Sequence, residues 1–146
     1  MITLKKILVP IDFSSISKLS LRYAASFAAE FGSKIHVLHV VEEEVLQPGT
    51  LEDPLNTRVE WETEEMQKLH EFIDPDLLEW DIEKAVIGGL AFEGIIDYAK
   101  THEIDLIIMG ARGVSGYLDS WLGGTAYEVA RKASCPVLTV KPNGIQ

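Results

Sequence analysis

Apolar residues occur along this chain in short continuous runs, and these runs alternate with amphipathic stretches of helical period. Five runs predict buried strands, because strands covered on both faces of a sheet lack the alternation of half-exposed strands. The five predicted strands are Lys6–Ile11, Ile35–Val41, Trp80–Ile87, Leu106–Met109 and Val137–Val140. Strands separated by helices are typical of βαβ units and a parallel sheet.

Helical spacing is found in each interval between the predicted strands. The first helix is predicted to begin with Ser14 or Ser15 as its N-cap and to end at Gly32. The predicted apolar positions are Ile16, Leu19, Tyr23, Ala24, Phe27 and Ala28 in the first helix, Val59, Met66, Leu69 and Ile73 in the second, Phe92, Ile95, Ile96 and Ala99 in the third, and Ala126, Val129, Ala130 and Ala133 in the fourth. We therefore expect one α/β domain over residues 1–146: an open, doubly wound, parallel five-stranded sheet with helices on both faces.

Composition and charge exclude several classes of protein for this chain. The 146 residues are 47% hydrophobic and 25% charged, which excludes a disordered or fibrous chain. The net charge of −10 has the wrong sign for a general nucleic-acid binder. Fifteen acidic and two basic residues lie between Glu42 and Glu83, so the rest of the chain carries +3 and can accept an anion. The acidic segment is expected to be a solvated helix and loop, with a partner or metal surface as the alternative.

The cysteine content and the length of the apolar runs bear on location. A single cysteine, Cys135, allows no internal disulfide and fits a reducing compartment. The apolar run near the start is cut by Pro10 and Asp12, and no stretch approaches the length of a bilayer span. We therefore expect a cytoplasmic protein without a membrane segment.

The glycine-rich segment after the fourth strand is the main candidate for ligand binding, because open parallel sheets bind ligands beyond the carboxyl ends of their strands. The segment GARGVSGYLDSWLGGT carries Gly110, Gly113, Gly123 and Gly124. Glycines let successive N–H groups converge on one anion, and the start of the next helix adds further N–H groups. A phosphate-binding loop and a purely structural turn both fit this spacing. No lysine follows the last glycines, so this is not a Walker loop.

Other candidate groups lie at the same end of the predicted sheet. Asp12 can accept hydrogen bonds from a ribose or hold a divalent cation, or it can cap a turn. The main chain of Val40 can meet an adenine edge. Arg112 can meet phosphate with its fixed charge, or it can be an ordinary exposed arginine. His39 is expected to be a satisfied histidine of the core or site edge rather than a base.

Five motifs, VPIDFS, LHVV, DLIIMG, the G-x2-G-x9-G loop and CPVLTVK, together resemble the universal stress protein family in order along the whole chain. The resemblance implies a five-stranded doubly wound fold, a homodimer paired through the last strand, and binding of ATP with Mg²⁺ or Mn²⁺. It places Asp12 near the ribose, the phosphates and the metal, and the backbone of Val40 on adenine. The resemblance also places Gly110, Gly113 and Gly123 around the phosphates. With the candidates above, the full set of predicted binding residues is Pro10, Ile11, Asp12, Val40, Met109, Gly110, Arg112, Gly113, Gly123, Gly124 and Thr125.

One residue departs from the family pattern. Gly124 stands where the family has Ser or Thr, so a hydroxyl contact to phosphate is lost while the N–H remains. Thr125 supplies a hydroxyl only if the helix begins one residue later than usual. Since one neutral hydrogen bond is worth about 1 kcal/mol, we expect ATP binding to be weakened roughly five-fold rather than abolished.

The function predicted from these features is that of a stress or signalling protein whose ATP-bound state alters its conformation or its partners. Hydrolysis is expected to be slow at most, because no general base or nucleophile with an orienting partner is evident. The alternative is a homodimeric interaction module that binds no nucleotide. The predicted dimer depends on Val137–Val140, an apolar run that a monomer would leave as an exposed edge.

Overall fold

The computed structural model describes residues 1–42, 54–112 and 122–142, with the side chains of residues 54–59 excepted. Within these ranges strands and helices alternate as predicted. The strands are β1 (Lys6–Pro10), β2 (Lys34–Val41), β3 (Ile82–Gly88), β4 (Leu106–Gly110) and β5 (Val137–Val140). The helices are α1 (Ser15–Phe31), α2 (Pro54–Phe72), α3 (Ala91–Thr101) and α4 (Gly124–Lys132), with a short 3₁₀ helix at Pro75–Leu77.

These strands form one sheet in the order β3-β2-β1-β4-β5, and each neighbouring pair is parallel. Helices α1 and α2 pack on one face of the sheet, and α3 and α4 pack on the other. The predicted fold class, a doubly wound α/β sheet, is confirmed. The direction in which the chain adds strands reverses between β1 and β4. A crevice is therefore expected where their carboxyl ends diverge.

The ends of α1 lie where the sequence predicted them, and its buried face agrees with the prediction in part: Ala24 and Ala28 are buried, and Leu19 and Phe27 pack against the core. The side chain of Ser14 accepts a hydrogen bond from the N–H of Ser17, and Gly32 ends the helix at φ 68°. The buried residues of α1 are Ser17, Ser20, Leu21, Ala24, Ala25 and Ala28. Tyr23, predicted on the apolar face, is 40% exposed. The hydroxyls of Ser17 and Ser20 donate to main-chain oxygens at 2.9 Å, so these serines fit a core face that apolar spacing cannot reveal.

The start of β3 and the buried face of α4 also differ from the prediction. β3 begins at Ile82 and not at Trp80, because the chain leaves the 3₁₀ helix through a turn in which the Trp80 N–H donates to the Leu77 carbonyl at 3.1 Å. In α4, Ala133 is the C-cap and Ala130 is exposed, so only Ala126 and Val129 form the buried face. None of the described helices is long and apolar enough to cross a membrane.

Candidate functional site

A cavity of about 600 Å³ opens at the carboxyl ends of β1, β2 and β4. It lies at the point where the strand order reverses, which is where an open parallel sheet is expected to bind a ligand. Its walls come from the loop after β1, the last residues of β2, the end of β4 and the first turns of α3 and α4. Helix α2 contributes Glu65 and Lys68 to one side.

Most of the predicted binding residues line this cavity, although they come from separate stretches of the chain. Those that line it are Pro10, Ile11, Asp12, Val40, Met109, Gly110, Arg112, Gly123, Gly124 and Thr125. Gly113 lies outside the described residues. The fold thus gathers the described members of the predicted set in one place, while their contacts with a ligand stay a prediction.

The first turn of α4 presents main-chain N–H groups to the cavity. Gly123 is the N-cap of this helix and provides no side-chain cap. The N–H groups of Gly124, Thr125 and Ala126 have no acceptor within the helix, and all three residues line the cavity. With the positive end of the helix dipole, they make a site suited to an anion. Since α4 begins at Gly124, the later start that Thr125 would need for the missing hydroxyl contact is not observed.

Asp12 has the turn-capping role that the sequence left open. Its Oδ1 accepts hydrogen bonds from the N–H of Ser14 at 3.0 Å and from the Ser14 hydroxyl at 2.5 Å. The second carboxylate oxygen, Oδ2, takes no part in this turn. Because Asp12 also lines the cavity, a structural role for one oxygen is compatible with a ligand contact by the other.

Between Asp12 and Ser14 the backbone is strained. Phe13 has φ 65°, a left-handed conformation that is rare for a bulky side chain. Its ring packs against His39, with ring centroids 4.5 Å apart, and against Phe72 at 5.5 Å. Such strain persists only where the surrounding packing enforces it, and it clusters at functional sites.

The main chain of Val40 is directed toward the cavity side of β2. In a parallel strand both main-chain groups of a residue face the same neighbour, and successive residues alternate between neighbours. The carbonyl of Leu38 accepts from the Ile11 N–H on the β1 side, whereas the carbonyl of Val41 accepts from the Gly89 N–H on the β3 side. The N–H and carbonyl of Val40 therefore face the β1 side, past the end of β1, where a ligand can reach them.

A histidine–carboxylate pair borders the cavity, and the sequence did not reveal it. The Nδ1 of His39 lies 2.7 Å from the Ile11 carbonyl oxygen, and its Nε2 lies 3.2 Å from Oε2 of Glu65. Oε1 of Glu65 accepts from Lys68 at 2.7 Å, and this hydrogen bond raises the pKa of Lys68 above its ordinary value. His39 is thus a satisfied histidine at the site edge, as predicted. Glu65 was missed because no spacing in the acidic α2 relates it to the strand ends.

Charged side chains of both signs line the cavity. Among the described residues they are the acidic Asp12, Glu42 and Glu65 and the basic Lys68 and Arg112. The acidic groups outnumber the basic ones, so side-chain charge alone does not attract a polyphosphate. The N–H groups in the first turn of α4 and the dipole of that helix are the features of this cavity that favour an anion.

Known proteins match this chain over nearly its whole length. The family model described as the universal stress protein family matches residues 3–141. Universal stress protein MJ0531 of Methanocaldococcus jannaschii is 30% identical over 139 residues, which cover 94% of this chain and 82% of the relative. The solved structure of MJ0577 from the same organism has a TM-score of 0.84 at 27% identity and covers 99% of this chain and 100% of its own. A universal stress protein solved in complex with cAMP has a TM-score of 0.65 at 19% identity, over 96% of this chain and 98% of its own.

Proposed function

This chain belongs to the universal stress protein family, and we propose that it binds an adenine nucleotide, ATP with Mg²⁺ or Mn²⁺ foremost, in the cavity at the ends of β1, β2 and β4. The nucleotide state would then alter the conformation or the partners of the protein in a stress or signalling response. The observation that carries this proposal is the uncapped first turn of α4, which opens into the same cavity as Asp12 and the main chain of Val40.

Different parts of the cavity wall suit the phosphates and the base of a nucleotide. The N–H groups of the first turn of α4 fit the phosphates, because helix N-termini bind anions without any basic side chain. The apolar side chains of Leu38, Ile95 and Met109 line the same cavity and suit the face of a purine. The main chain of Val40 offers one donor and one acceptor to a base edge. A structure with this fold in complex with cAMP supports the ligand class.

The divalent cation is best placed on the nucleotide rather than in a site of its own. No group of three or more side chains suited to a metal ion occurs among the described residues, and Asp12 offers one carboxylate. Protein-bound Mg²⁺ usually contacts one or two carboxylates together with substrate phosphates and water. The residues present therefore fit a cation that arrives with the phosphates, and the acidic excess of the walls favours a ligand whose charge is partly neutralised.

Hydrolysis should be slow. The most promising general base beside the cavity is His39, but its two ring nitrogens already face the Ile11 carbonyl and the Glu65 carboxylate. A base needs a free nitrogen within hydrogen-bond reach of the attacking water. We therefore assign the cavity to nucleotide binding and not to efficient turnover.

We also propose a homodimer paired through β5, one of the two edge strands of the sheet. The carbonyls of Pro136 and Val140 accept hydrogen bonds from the β4 side, so by alternation the main-chain groups of Val137 and Thr139 point outward. Strand β5 has no charged residue, whereas the other edge strand, β3, carries Lys84, a residue type that discourages pairing between edges.

Mass spectrometry of small molecules released from the purified protein, followed by calorimetry with Mg-ATP and Mg-GTP, tests the proposed ligand. We expect a co-purified adenine nucleotide or saturable binding of ATP in preference to GTP. A protein that carries no nucleotide and gives no binding heat would instead be a dimeric interaction module. A cytoplasmic location stays a prediction of the composition.

A further inference from the structure

Residues of β2 fix the orientation of Ile11 and of the peptide bond that joins it to Asp12. The N–H of Ile11 donates to the carbonyl of Leu38 at 2.8 Å, which fixes the start of the loop on β2. The Ile11 carbonyl lies 2.7 Å from Nδ1 of His39. Because a peptide unit is planar, holding this carbonyl also fixes the direction of the Asp12 N–H.

The His39 ring is itself held by α2. Its Nε2 lies 3.2 Å from Oε2 of Glu65, and the two side chains are only 14% and 15% exposed. The ring of Phe13 packs on His39 from the loop side. Helix α2, the imidazole ring and the strained loop after β1 thus form one continuous set of contacts beside the cavity.

We propose that Glu65 and His39 are positioning residues of this site: Glu65 orients the ring, and the ring holds the Ile11–Asp12 peptide so that Asp12 faces the ligand. Neither residue needs to touch the nucleotide for this role. The consequence for nucleotide binding rests on the proposed function, whereas the geometry of the loop does not.

The hydrogen bonds that the His39 ring can make determine which variants at position 65 test this role. A carbonyl oxygen only accepts, so Nδ1 must carry a hydrogen to bond Ile11. A carboxylate also only accepts, so Glu65 bonds Nε2 only when that nitrogen carries a hydrogen. A glutamine at position 65 has the same length and can either donate to a bare Nε2 or accept from a protonated one. Glu65→Gln therefore preserves the hold on the ring, whereas Glu65→Ala removes it.

The test compares Glu65→Ala, Glu65→Gln and the control Glu64→Ala. Glu64 is the exposed neighbour on α2 and does not line the cavity, so its removal changes the charge of the helix without touching the ring. One measurement needs no ligand: amide NMR shifts of Asp12 and Phe13, with ¹⁵N spectra of the His39 ring. The other measurement is the affinity for Mg-ATP by calorimetry.

We expect Glu65→Ala to shift the Asp12 and Phe13 amides and to weaken Mg-ATP binding by about five-fold, the worth of roughly one hydrogen bond. Glu65→Gln and Glu64→Ala should keep both properties near those of the unmodified protein. If Glu65 acted only through its charge, Glu65→Ala and Glu65→Gln would bind Mg-ATP with the same affinity, because both remove one negative charge. That affinity would be no lower than the affinity of the unmodified protein. That result, or unchanged amides in Glu65→Ala, overturns the positioning role. If the unmodified protein binds no nucleotide, only the proposed function is wrong. The amide shifts of Asp12 and Phe13 still test the positioning role of Glu65 in that case.

Discussion

The side chain of Ile16 occupies the space into which a Cβ at Gly110 would project. A Cβ built there would lie 2.5 Å from Cγ2 of Ile16 and 3.1 Å from the carbonyl oxygen of Arg112. Ile16 belongs to the first turn of α1 and Gly110 ends β4, so this contact lets the helix approach the strand beside the cavity. Packing therefore requires a glycine at position 110 whether or not a ligand is bound.

Gly110→Ala is expected to destabilise the protein by about 1–3 kcal/mol, the usual cost of overpacking a filled site. The overlap involves a branched side chain on a helix, which cannot swing away as the end of a long flexible chain can. Urea unfolding followed by circular dichroism measures the loss.

The double variant Ile16→Ala/Gly110→Ala provides the control for this clash. If the clash is the cause, adding Ile16→Ala to Gly110→Ala should cost less stability than Ile16→Ala costs alone, because the new methyl enters the vacated space. Additive losses in the double-mutant cycle would instead place the cost of Gly110→Ala in the backbone.

Two variants of Asp12 separate its structural role from its proposed ligand role. Asp12→Asn keeps an oxygen that can accept from the N–H and hydroxyl of Ser14, so stability should stay close to normal. Asp12→Ala removes the acceptor and should cost about 1 kcal/mol, as for a lost cap. Both variants should bind ATP more weakly, with less dependence on Mg²⁺. Thermal unfolding and calorimetry with Mg²⁺ or EDTA measure the two effects, and full Mg²⁺ dependence in Asp12→Asn would refute the cation contact.

Gly124→Ser should strengthen ATP binding. A Cβ at Gly124 meets nothing within 4 Å, so a serine fits without displacement. Its hydroxyl restores one hydrogen bond to phosphate, which is worth about 1 kcal/mol or roughly five-fold in affinity. Gly124→Ala is the matched control, because it adds the same carbon without the hydroxyl. Equal affinities of the serine and alanine variants in calorimetry would show that position 124 does not contact the phosphates.

Thr139→Pro is expected to convert the proposed dimer to a monomer. Proline lacks the N–H that Thr139 directs away from β4, and edge strands tolerate it because the pairing on their inner side is kept. Thr139→Val retains the N–H and serves as the control. Light scattering should give twice the chain mass of 16.2 kDa for the unmodified protein and the control, and one chain mass for Thr139→Pro. A dimeric Thr139→Pro variant would place the interface elsewhere.

The sheet was predictable because it depends on repeated, local features. Continuous apolar runs identify strands that are buried on both faces, and β5 occupies Val137–Val140, the same residues as the predicted run. The cavity followed from topology, since ligand-binding loops of parallel sheets gather at one edge. Residues after different strands, such as Asp12 and Gly124, could therefore be assigned to one site before any contact was seen.

The remaining features could not be predicted because they depend on single contacts between distant residues. Ser17 and Ser20 occupy the core face of α1 only because main-chain oxygens satisfy their hydroxyls. Glu65 reaches His39 across 26 positions of sequence, and no periodicity encodes that distance. The packing reason for Gly110 likewise needs the position of Ile16, which the sequence does not provide.

A second histidine of β2, His36, is buried nearer the other end of that strand and does not line the cavity. His36 is 2% exposed, and its Nδ1 lies 2.7 Å from the Tyr98 hydroxyl and 3.1 Å from Oε2 of Glu83. Its Nε2 is buried without a hydrogen-bond partner among the described residues. Burial lowers the pKa of His36 below its ordinary value, more than the nearby Glu83 carboxylate raises it. Burial also raises the pKa of Tyr98 to about 12, so this hydroxyl keeps its proton at neutral pH.

The lowered pKa of His36 makes the folded state less stable in weak acid. Below about pH 6.5 the unfolded chain binds a proton that the folded chain still refuses, so the free energy of unfolding falls until the pH reaches the lowered pKa. One such proton changes stability by at most about 1.4 kcal/mol per pH unit. Urea unfolding between about pH 7 and pH 5 should show this decline, and His36→Gln should flatten it, whereas the exposed control His70→Gln should not. An equally steep decline in His36→Gln would assign the acid sensitivity to other groups.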